Sequence, residues 1–513
     1  MATPSEKLAQ SLEVLHGLQN NEGIAVIRAD EISRTHKDRL LSGGFIQEVI
    51  KGWFITSRPD SPRGDTTSWY TSYWKFSEIY LKSRFDNNWC LSPDQSLQLH
   101  AGNKTVPKQL LVRSPKARNK VTNLIFSTSV FDVRLNLPED EEILSKDGIN
   151  VYSLASGLVA CGADFFVRNA TDARTCLAMV RDASEILAKL LDGGKSVVAG
   201  RLAGAFRNIG KVKIADEIVK TMKSAGYDVR ETDPFNDKIA LTLNSRETSP
   251  YVNRIKIMWT LMRQTVIDNF PNTSGLLPNV EDYLKQVEDN YTEDAYHSLS
   301  IEGYRVTPGL IERVRSGNWN PDDNKEDKEQ KNAMAARGYY LAFQAVKKSI
   351  RAILEGKNPG EVVGNDHGTW YRELFAPSVT AGILKASDLA GYRNGPVYIQ
   401  GSLHTPPDHS AVRDVIPALF DLLKEETEAS VRIVLGHFIF VYIHPYFDGN
   451  GRIARFLMNT MMASGGYPWT VIPVKKRDEY MASLGKASVG NDITDFSGFV
   501  GSLVSEKMNV TKE

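Results

Sequence analysis

Residues 436–459 of this chain, GHFIFVYIHPYFDGNGRIARFLMN, constrain its fold more than any other stretch. The run 438–443 is apolar all round, which favours a helix that is buried on every side. His444 and Pro445 then predict a break, because proline lacks an N–H and disfavours helical geometry in the residue before it. Residues 448–451 tolerate the left-handed turns of a tight loop, and the apolar spacing beyond them predicts a second helix. The stretch is therefore expected to fold as helix, glycine-rich loop and helix.

This loop and the start of the second helix carry residue types that bind a phosphate chain. Main-chain N–H groups of a glycine-rich loop at a helix N-terminus bind anions, and Arg452 and Arg455 add two guanidinium groups. His444 can accept a proton, and Asp448 can hold a divalent cation against phosphate oxygens. A polyphosphate ligand is therefore predicted.

Residues 444–455, HPYFDGNGRIAR, resemble the signature of the Fic family, H-x-F-x-D-G-N-G-R-x-x-R. Each chemical position is filled, and Tyr446 replaces the commoner phenylalanine at a packing position. The resemblance implies a protein adenylyltransferase, which transfers AMP from ATP to a Ser, Thr or Tyr hydroxyl of a protein and releases pyrophosphate. It also implies a mainly helical Fic region over residues 249–513, with its core at about 362–504.

The resemblance gives each residue of the motif a role. His444 would take the proton of the attacking hydroxyl, and Asp448 would hold Mg²⁺ or Mn²⁺ between phosphates. Arg452 would grip the leaving β- and γ-phosphates and Arg455 the γ-phosphate. The nucleotide-binding residues implied are Gly449, Asn450, Gly451, Arg452, Arg455 and, near the adenine, Tyr480 and Met481.

A second motif lies about 140 residues upstream. Ser298, Glu302 and Gly303 fill the fixed places of [S/T]-x-x-x-E-[G/N], the inhibitory motif of Fic proteins, and residues 279–298 are predicted to form an amphipathic helix leading into it. The inhibitory helix is thus placed at 279–303. The resemblance implies that Glu302 pairs with Arg455 and prevents ATP from binding productively.

Residues 389–407, LAGYRNGPVYIQGSLHTPP, predict a β-hairpin, because apolar and polar residues alternate after an Asn-Gly turn. The segment resembles the Fic flap, which docks a target segment by edge-strand pairing. The flap residues implied are Val397, Ile399, Gln400 and Gly401.

The order of predicted elements in residues 1–62, three helices and then a hairpin, is that of a winged helix. The third predicted helix, residues 33–42, carries three cations that make it a candidate for DNA binding: Arg34, Lys37 and Arg39. The alternative is a protein-docking domain whose charges are merely solvated. Residues 63–248 are predicted to form an α+β regulatory region, and about the first 230 residues resemble the AbiEi-type antitoxin and regulator family.

The whole chain adds several limits. Its 62 Lys and Arg balance 62 Asp and Glu, so no global field attracts nucleic acid. Three cysteines without a C-x-x-C pair indicate neither a disulfide framework nor a zinc cluster. No apolar run approaches about 18 residues, and the N-terminus lacks an apolar signal core, so a cytoplasmic protein without a membrane span is expected. The predicted fold class is multidomain: a winged helix, an α+β region and a mainly helical Fic fold with a hairpin flap.

Three alternative functions remain open at this point. The same site removes AMP from modified targets in some Fic proteins, and a few relatives transfer UMP, phosphate or phosphocholine instead. The chain can also be a DNA-binding regulator that modifies itself. The expected partners are ATP and a protein with a hydroxyl side chain, with this chain itself and DNA as further candidates. The sequence does not predict the oligomeric state.

Overall fold

The computed structural model describes residues 3–19, 23–60, 65–236, 249–273, 275, 279–319 and 330–510. The chain divides into two compact units. The N-terminal unit comprises Met1–Ile257 and Gly395–Pro406, and the C-terminal unit comprises Met258–Asn394 and Pro407–Glu513. The predicted boundary at residues 62 and 63 does not coincide with a boundary of these units and stays a prediction.

The N-terminal unit begins with a three-stranded antiparallel sheet in the strand order β1–β3–β2, accompanied by two helices. These elements are α1 (Pro4–Leu18), β1 (Val26–Arg28), α2 (Arg34–Ser42), β2 (Ile46–Ile50) and β3 (Trp53–Thr56). Residues 29–32, predicted as a helix, form a turn in which the Glu31 carboxylate accepts hydrogen bonds from the main-chain N–H and guanidinium of Arg28. Two helices therefore stand where the winged-helix prediction had three.

The rest of the N-terminal unit has an α+β core, as predicted. Its elements are α3 (Thr67–Phe85), β4 (Cys90–Leu91), α4 (Pro93–His100), β5 (Gln109–Ser114), β6 (Lys120–Asn123), β7 (Ser129–Arg134), β8 (Ile143–Lys146), β9 (Ile149–Tyr152), α5 (Leu154–Ala160), α6 (Ala163–Arg168), α7 (Ala170–Met179), α8 (Ser184–Leu191), α9 (Ser196–Asn208) and α10 (Val212–Ser224). Strands β4 to β7 form a sheet in the order β4–β5–β7–β6. The aromatic side chains of α3 are core residues: Trp69, Tyr73 and Phe76 are fully buried and pack edge to face.

The segment Gly395–Pro406 packs within the N-terminal unit and contains no strand, so the predicted β-hairpin is wrong, while the role of this segment as a flap stays a prediction. Two of its main-chain groups bind neighbours in that unit, and within the segment Ser402 N–H donates to Ile399 O at 3.0 Å, which closes a turn. Gly401 N–H donates to Thr67 Oγ1 at 3.4 Å, and Leu403 O accepts from Val106 N–H at 3.3 Å. The side chain of Leu403 packs against the aromatic core of α3.

The C-terminal unit is helical throughout the part of it that the structure describes, apart from loops and short 3₁₀ turns. Its helices are α11 (Pro250–Asn269), which starts in the N-terminal unit, α12 (Val280–Asp289), α13 (Tyr291–Ile301), α14 (Pro308–Ser316), α15 (Gln330–Leu354), α16 (Pro359–Thr380), α17 (Val412–Glu425), α18 (Ala429–Ile443), α19 (Asn450–Gly465), α20 (Arg477–Gly490) and α21 (Thr494–Val510). No helix in the described ranges is long and apolar enough to cross a membrane.

Two packing features place the site residues. Helix α18 is buried on all sides, as its apolar sequence predicts, with Phe438, Ile439 and Phe440 inaccessible to solvent. Helices α15 and α16 approach closely at Gly338, where a Cβ would overlap the main-chain carbonyl of Leu374. Helices α15 and α16 therefore have little freedom to separate.

The predicted helix 279–298 is two helices, because the chain turns at Asn290. The Asn290 N–H donates to Val287 O at 3.2 Å, and its side chain donates to Gln286 O at 2.6 Å, which closes α12 before α13 begins. The highly charged composition of residues 318–332 predicts an exposed loop. This stretch lies mostly outside the described residues, and its last three residues belong to α15.

Candidate active site

His444 ends α18 in a left-handed conformation, with φ 53° and ψ 61°. A non-glycine residue pays roughly 1–2 kcal/mol for that geometry, so the surroundings must hold it. Its N–H donates to Phe440 O at 3.0 Å, and its Nδ1 lies 3.3 Å from Val441 O. Because a carbonyl only accepts, Nδ1 carries the proton and Nε2 is left with its lone pair.

The imidazole of His444 is neutral near pH 7. Burial is the main cause that lowers its pKa from 6.5 to about 4, and the positive charge of Arg393 lowers it further. The Val441 carbonyl and the carboxylates of Glu302 and Asp448 act in the opposite direction. A neutral ring with a free Nε2 is the form that a general base requires.

Arg393 is a buried residue of the site that sequence reasoning missed. Its Nε donates to His444 O at 2.8 Å, its Nη2 lies 3.4 Å from Ile443 O, and its own N–H donates to Pro445 O at 2.9 Å. The Y-R pair just before the Asn-Gly turn was the only available signal, and without an alignment it reads as an ordinary loop residue.

The far side of the loop is closed by Asn450 and Tyr446. The Asn450 side chain accepts from Tyr446 N–H and donates to Tyr446 O, both at 2.9 Å. The Tyr446 ring stacks on Tyr371 with centroids 3.9 Å apart, which confirms its predicted packing position. Gly449 has φ 80°, and a Cβ there would come within 2.7 Å of the Phe375 ring, so both backbone and space require glycine.

Helix α19 begins at Asn450, so its first N–H groups point to the loop that was predicted to bind an anion. Arg452 lies in this first turn, fully buried, with its guanidinium 5.1 Å from the Tyr304 ring centre and 5.0 Å from that of Phe375. Its Nη2 donates to Asp448 Oδ1 at 3.1 Å. The two aromatic residues beside Arg452 were not predicted.

The inhibitory motif and the second arginine of the signature meet in the C-terminal unit. Arg455 Nη2 donates to Glu302 Oε1 at 2.7 Å, while Arg455 Nε donates to Ser298 Oγ at 2.9 Å and Nη2 also reaches Ser298 O at 3.1 Å. Gly303, with φ 85°, turns the chain away immediately after α13. The structure thus pairs Glu302 with Arg455, as the resemblance implied, and adds Ser298 to the contacts of Arg455.

The Glu302 carboxylate also reaches the anion-binding loop itself. A Cβ added at Gly451 would overlap Glu302 Oε1 and would lie 3.1 Å from Arg455 Nη1. A carboxylate therefore occupies the space between the α19 N-terminus and the second arginine, where the predicted phosphate would bind. Burial opposes the charge of Arg455, but the negative charge of Glu302 outweighs it and raises the pKa of Arg455, so the guanidinium stays charged.

Buried polar residues lie near the pair of Glu302 and Arg455. The Tyr339 hydroxyl donates to Asp294 Oδ2 at 2.6 Å, and burial raises the pKa of Asp294 to about 6. Tyr480, expected near an adenine, is buried, and its hydroxyl lies 3.0 Å from Nε2 of the buried His437. Met481 beside it is half-buried.

The remaining predicted residues lie in the N-terminal unit. Val397, Ile399, Gln400 and Gly401 belong to the segment Gly395–Pro406 described above. On α2, Asp38 lies 3.6 Å from Arg34 and 3.8 Å from Lys37, and Arg39 donates to Lys7 O. Their positive charge is therefore partly neutralised locally.

A divalent cation fits one carboxylate of the site. In the part of the chain that the structure describes, no group of three or more His, Cys, Asp or Glu forms a metal site. The Asp448 side chain is 61% exposed at the loop, with Arg452 balancing its charge. Mg²⁺ commonly takes one or two protein carboxylates and completes its shell with substrate phosphates and water, so a single exposed aspartate is sufficient.

The site is a glycine-rich loop between two helices of the helical C-terminal unit. Residues 369–462, which include this loop, match the Fic/DOC family model. The chain therefore contains a Fic domain, and the resemblance seen in its motif is confirmed. The comparisons say nothing of the AbiEi-type resemblance of the N-terminal region, which stays a prediction.

Individual relatives carry the same family name. The chain is 26% identical over 281 residues to "Protein adenylyltransferase Fic" of Drosophila willistoni, covering 53% of each chain. It is 28% identical over 275 residues to "Protein adenylyltransferase fic-1" of Caenorhabditis elegans, covering 52% of this chain and 49% of the relative. The chain thus spans about half the length of the curated relatives it matches.

Two solved structures align with parts of this chain. A segment of Fic-1 from C. elegans aligns with 64% of this chain and 90% of its own length, at 20% identity and a TM-score of 0.36. A Fic domain-containing signaling protein from Bacteroides thetaiotaomicron aligns with 50% of this chain and 94% of its own, at 18% identity and a TM-score of 0.35.

Proposed function

We propose that this chain is a protein adenylyltransferase that transfers AMP from ATP to a protein hydroxyl and is repressed by Glu302. One arrangement carries the proposal. The loop that links α18 to α19 starts at a neutral histidine with a free Nε2. It ends at the N-terminus of α19, and the first two turns of that helix carry two buried arginines. The first group suits a general base, and the second suits a polyphosphate.

In the proposed reaction, the substrate hydroxyl donates its proton to His444 Nε2 as its oxygen attacks the α-phosphorus of ATP. The new O–P bond forms while the bond from the α-phosphorus to the bridging oxygen breaks, and pyrophosphate leaves with that electron pair. The N–H groups at the start of α19 stabilise the charge that develops on the phosphate oxygens. Asp448 would hold Mg²⁺ or Mn²⁺, which neutralises phosphate charge.

The two arginines differ in how they enter this mechanism. Arg452 is held between two aromatic rings and by Asp448, so its charge is fixed beside the loop before nucleotide arrives. Arg455 is engaged by Glu302 and Ser298. The γ-phosphate must displace the Glu302 carboxylate to reach Arg455, and ATP bound without that displacement has its α-phosphate misplaced for attack.

The relatives quoted above are called protein adenylyltransferases, which supports the proposal from outside the site. The target protein is proposed by chemical class alone, as a protein with a Ser, Thr or Tyr hydroxyl, and this chain itself is a convenient first substrate.

Position-specific labelling tests the reaction class. The purified Glu302→Gly variant should become labelled by ATP carrying ³²P at the α-phosphate and not by ATP carrying it at the γ-phosphate. The His444→Ala form of the same variant serves as the control and should lose labelling by roughly 10²- to 10⁴-fold while binding ATP normally. Labelling from the γ-position, or from UTP in preference to ATP, would replace this proposal by phosphoryl or uridylyl transfer.

A second activity of the same site follows from the position of Glu302. Its carboxylate lies at the anion loop, where it can orient a water molecule as well as exclude a phosphate. If removal of AMP is the main activity, a pre-labelled protein should lose its label with wild-type enzyme and keep it with Glu302→Gly.

A further inference from the structure

The end of α18 leaves several carbonyl groups without helical partners, and groups outside the helix ladder bind five carbonyls in this region. Phe440 O accepts from His444 N–H, and Val441 O faces His444 Nδ1. The carbonyls of Ile443, His444 and Pro445 all lie within hydrogen-bond distance of Arg393. One side chain and its own main chain thus satisfy three successive carbonyls of the catalytic loop.

Arg393 suits this position for three reasons. Its planar guanidinium presents several donors at fixed angles, which a lysine does not. Its positive charge lies at the C-terminal end of α18, where the helix dipole favours a cation. It is buried, so its contacts are not exchanged for water.

The same guanidinium holds a fourth carbonyl. Arg393 Nη2 donates to Pro407 O at 2.5 Å. Arg393 precedes the segment Gly395–Pro406 by two residues, and Pro407 is the first residue after it. The arginine therefore ties together the two ends of this segment and the carbonyl of His444.

We propose that Arg393 is a positioning residue that holds His444 in its left-handed conformation and couples that conformation to the main chain at Pro407, within the C-terminal unit. Its guanidinium donates to main-chain carbonyls, that of His444 among them, so it acts through His444. A shift of the chain at Pro407 changes the acceptors around the guanidinium and is passed to the His444 carbonyl. The inference rests on the proposed function for its kinetic consequence, but its structural content is independent of it.

Two substitutions separate geometry from charge. Arg393→Lys keeps the charge but loses the planar fork, and Arg393→Gln loses both. In the Glu302→Gly background, both should lower kcat for AMP transfer by about 10²-fold, the size of effect expected when a reacting group is misplaced by about 1 Å. KM for ATP should change by less than about twofold, because the phosphate-binding groups are elsewhere. Arg413→Gln, an exposed arginine on α17, is the matched control and should keep full activity.

A measurement on His444 itself tests the inference without any transfer reaction. With ¹³C-labelled histidine, the His444 signal is identified among nine histidines by its loss in His444→Gln. The charged groups that face His444 are Arg393, Glu302 and Asp448. Arg393→Gln should move the His444 pKa upward, Arg393→Lys should leave it low, and both should shift the resonance as the ring is released.

The outcomes separate cleanly. Loss of kcat with a shifted His444 resonance and an unchanged unfolding midpoint supports the proposal. An unchanged His444 resonance in both variants overturns it, whatever the activity, and so does full kcat in Arg393→Lys and Arg393→Gln. If the Glu302→Gly parent transfers no AMP, the proposed function fails, and the resonance still decides the role of Arg393.

Discussion

His444 is constrained in two ways that a histidine at an ordinary helix end is not. Its left-handed backbone is held by its own N–H and by Arg393, and its ring is fixed by the Val441 carbonyl. Burial disfavours the imidazolium form, so the base is already neutral well below physiological pH. Reactivity here depends on orientation rather than on titration near pH 7.

This state of His444 predicts the pH dependence of AMP transfer. The pKa lies near 4, below its ordinary value of 6.5, so protonation should stop the reaction only as the pH falls toward 4. Replacing Glu302 by glycine removes a carboxylate that raises this pKa. The acid limb of the pH–rate profile should therefore move to a still lower pH. Single-turnover rates of Glu302→Gly should therefore be flat from about pH 8 to 5.5. A limb centred between pH 6 and 7 would mean that His444 titrates normally or that another base acts.

At the scale of elements, the close approach of α15 and α16 predicts that alanine will change stability in opposite directions at two glycines. Gly338→Ala places a Cβ against the carbonyl of Leu374, which is backbone and cannot move aside. It should destabilise the C-terminal unit by roughly 1–3 kcal/mol. Gly368→Ala on α16 meets only the end of the Arg372 side chain at 3.6 Å and should stabilise its helix by about 0.5–1 kcal/mol.

Urea denaturation of the two variants checks this difference. The midpoint of Gly338→Ala should fall and that of Gly368→Ala should stay or rise, with similar slopes. Equal midpoints would mean that the two helices have room to separate, and the site they support would then be less rigid than described.

The elements also show what local sequence can and cannot predict. The buried helix α18, the break at His444 and the loop around Gly449 follow from composition and from glycine and proline chemistry alone. The turn at Asn290 does not, since apolar spacing continues through it and only the local hydrogen bonds reveal two helices. The hairpin prediction failed because alternation predicts a strand only when the edge has a partner, and Gly401 and Leu403 use their main-chain groups elsewhere.

At the scale of the whole molecule, the pairing of Glu302 with Arg455 was predictable because two motifs, each with a known spacing, implied it. Arg393, Tyr304 and Phe375 were not predictable, because each acts through a contact that is distant in sequence and carries no local pattern. The membership of the segment Gly395–Pro406 in the N-terminal unit was not predicted either, because it depends on contacts with residues far earlier in the chain.

DNA binding by the cations of α2 in the N-terminal unit stays a prediction. Arg34→Ala with Lys37→Ala should weaken any DNA binding and reduce the slope of log K against log salt by about one unit for each lost phosphate contact. The effect should be small, because Asp38 already pairs with both cations. Gel shifts over a salt series measure it, with Lys213→Ala and Lys220→Ala on α10 as the matched control. Identical shifts in all forms would favour the protein-docking alternative.

The central claim is that the Glu302 carboxylate holds the place of a phosphate between Gly451 and Arg455. It is tested most directly by α-³²P labelling of the protein by itself in three forms: wild type, Glu302→Gly, and Glu302→Gly with Arg455→Ala. A coupling of about 1–3 kcal/mol predicts that Glu302→Gly raises labelling roughly 5- to 150-fold. Arg455→Ala should then remove the gain, because the freed arginine is what binds the γ-phosphate. Equal labelling of wild type and Glu302→Gly, or undiminished labelling of the double variant, would contradict the account.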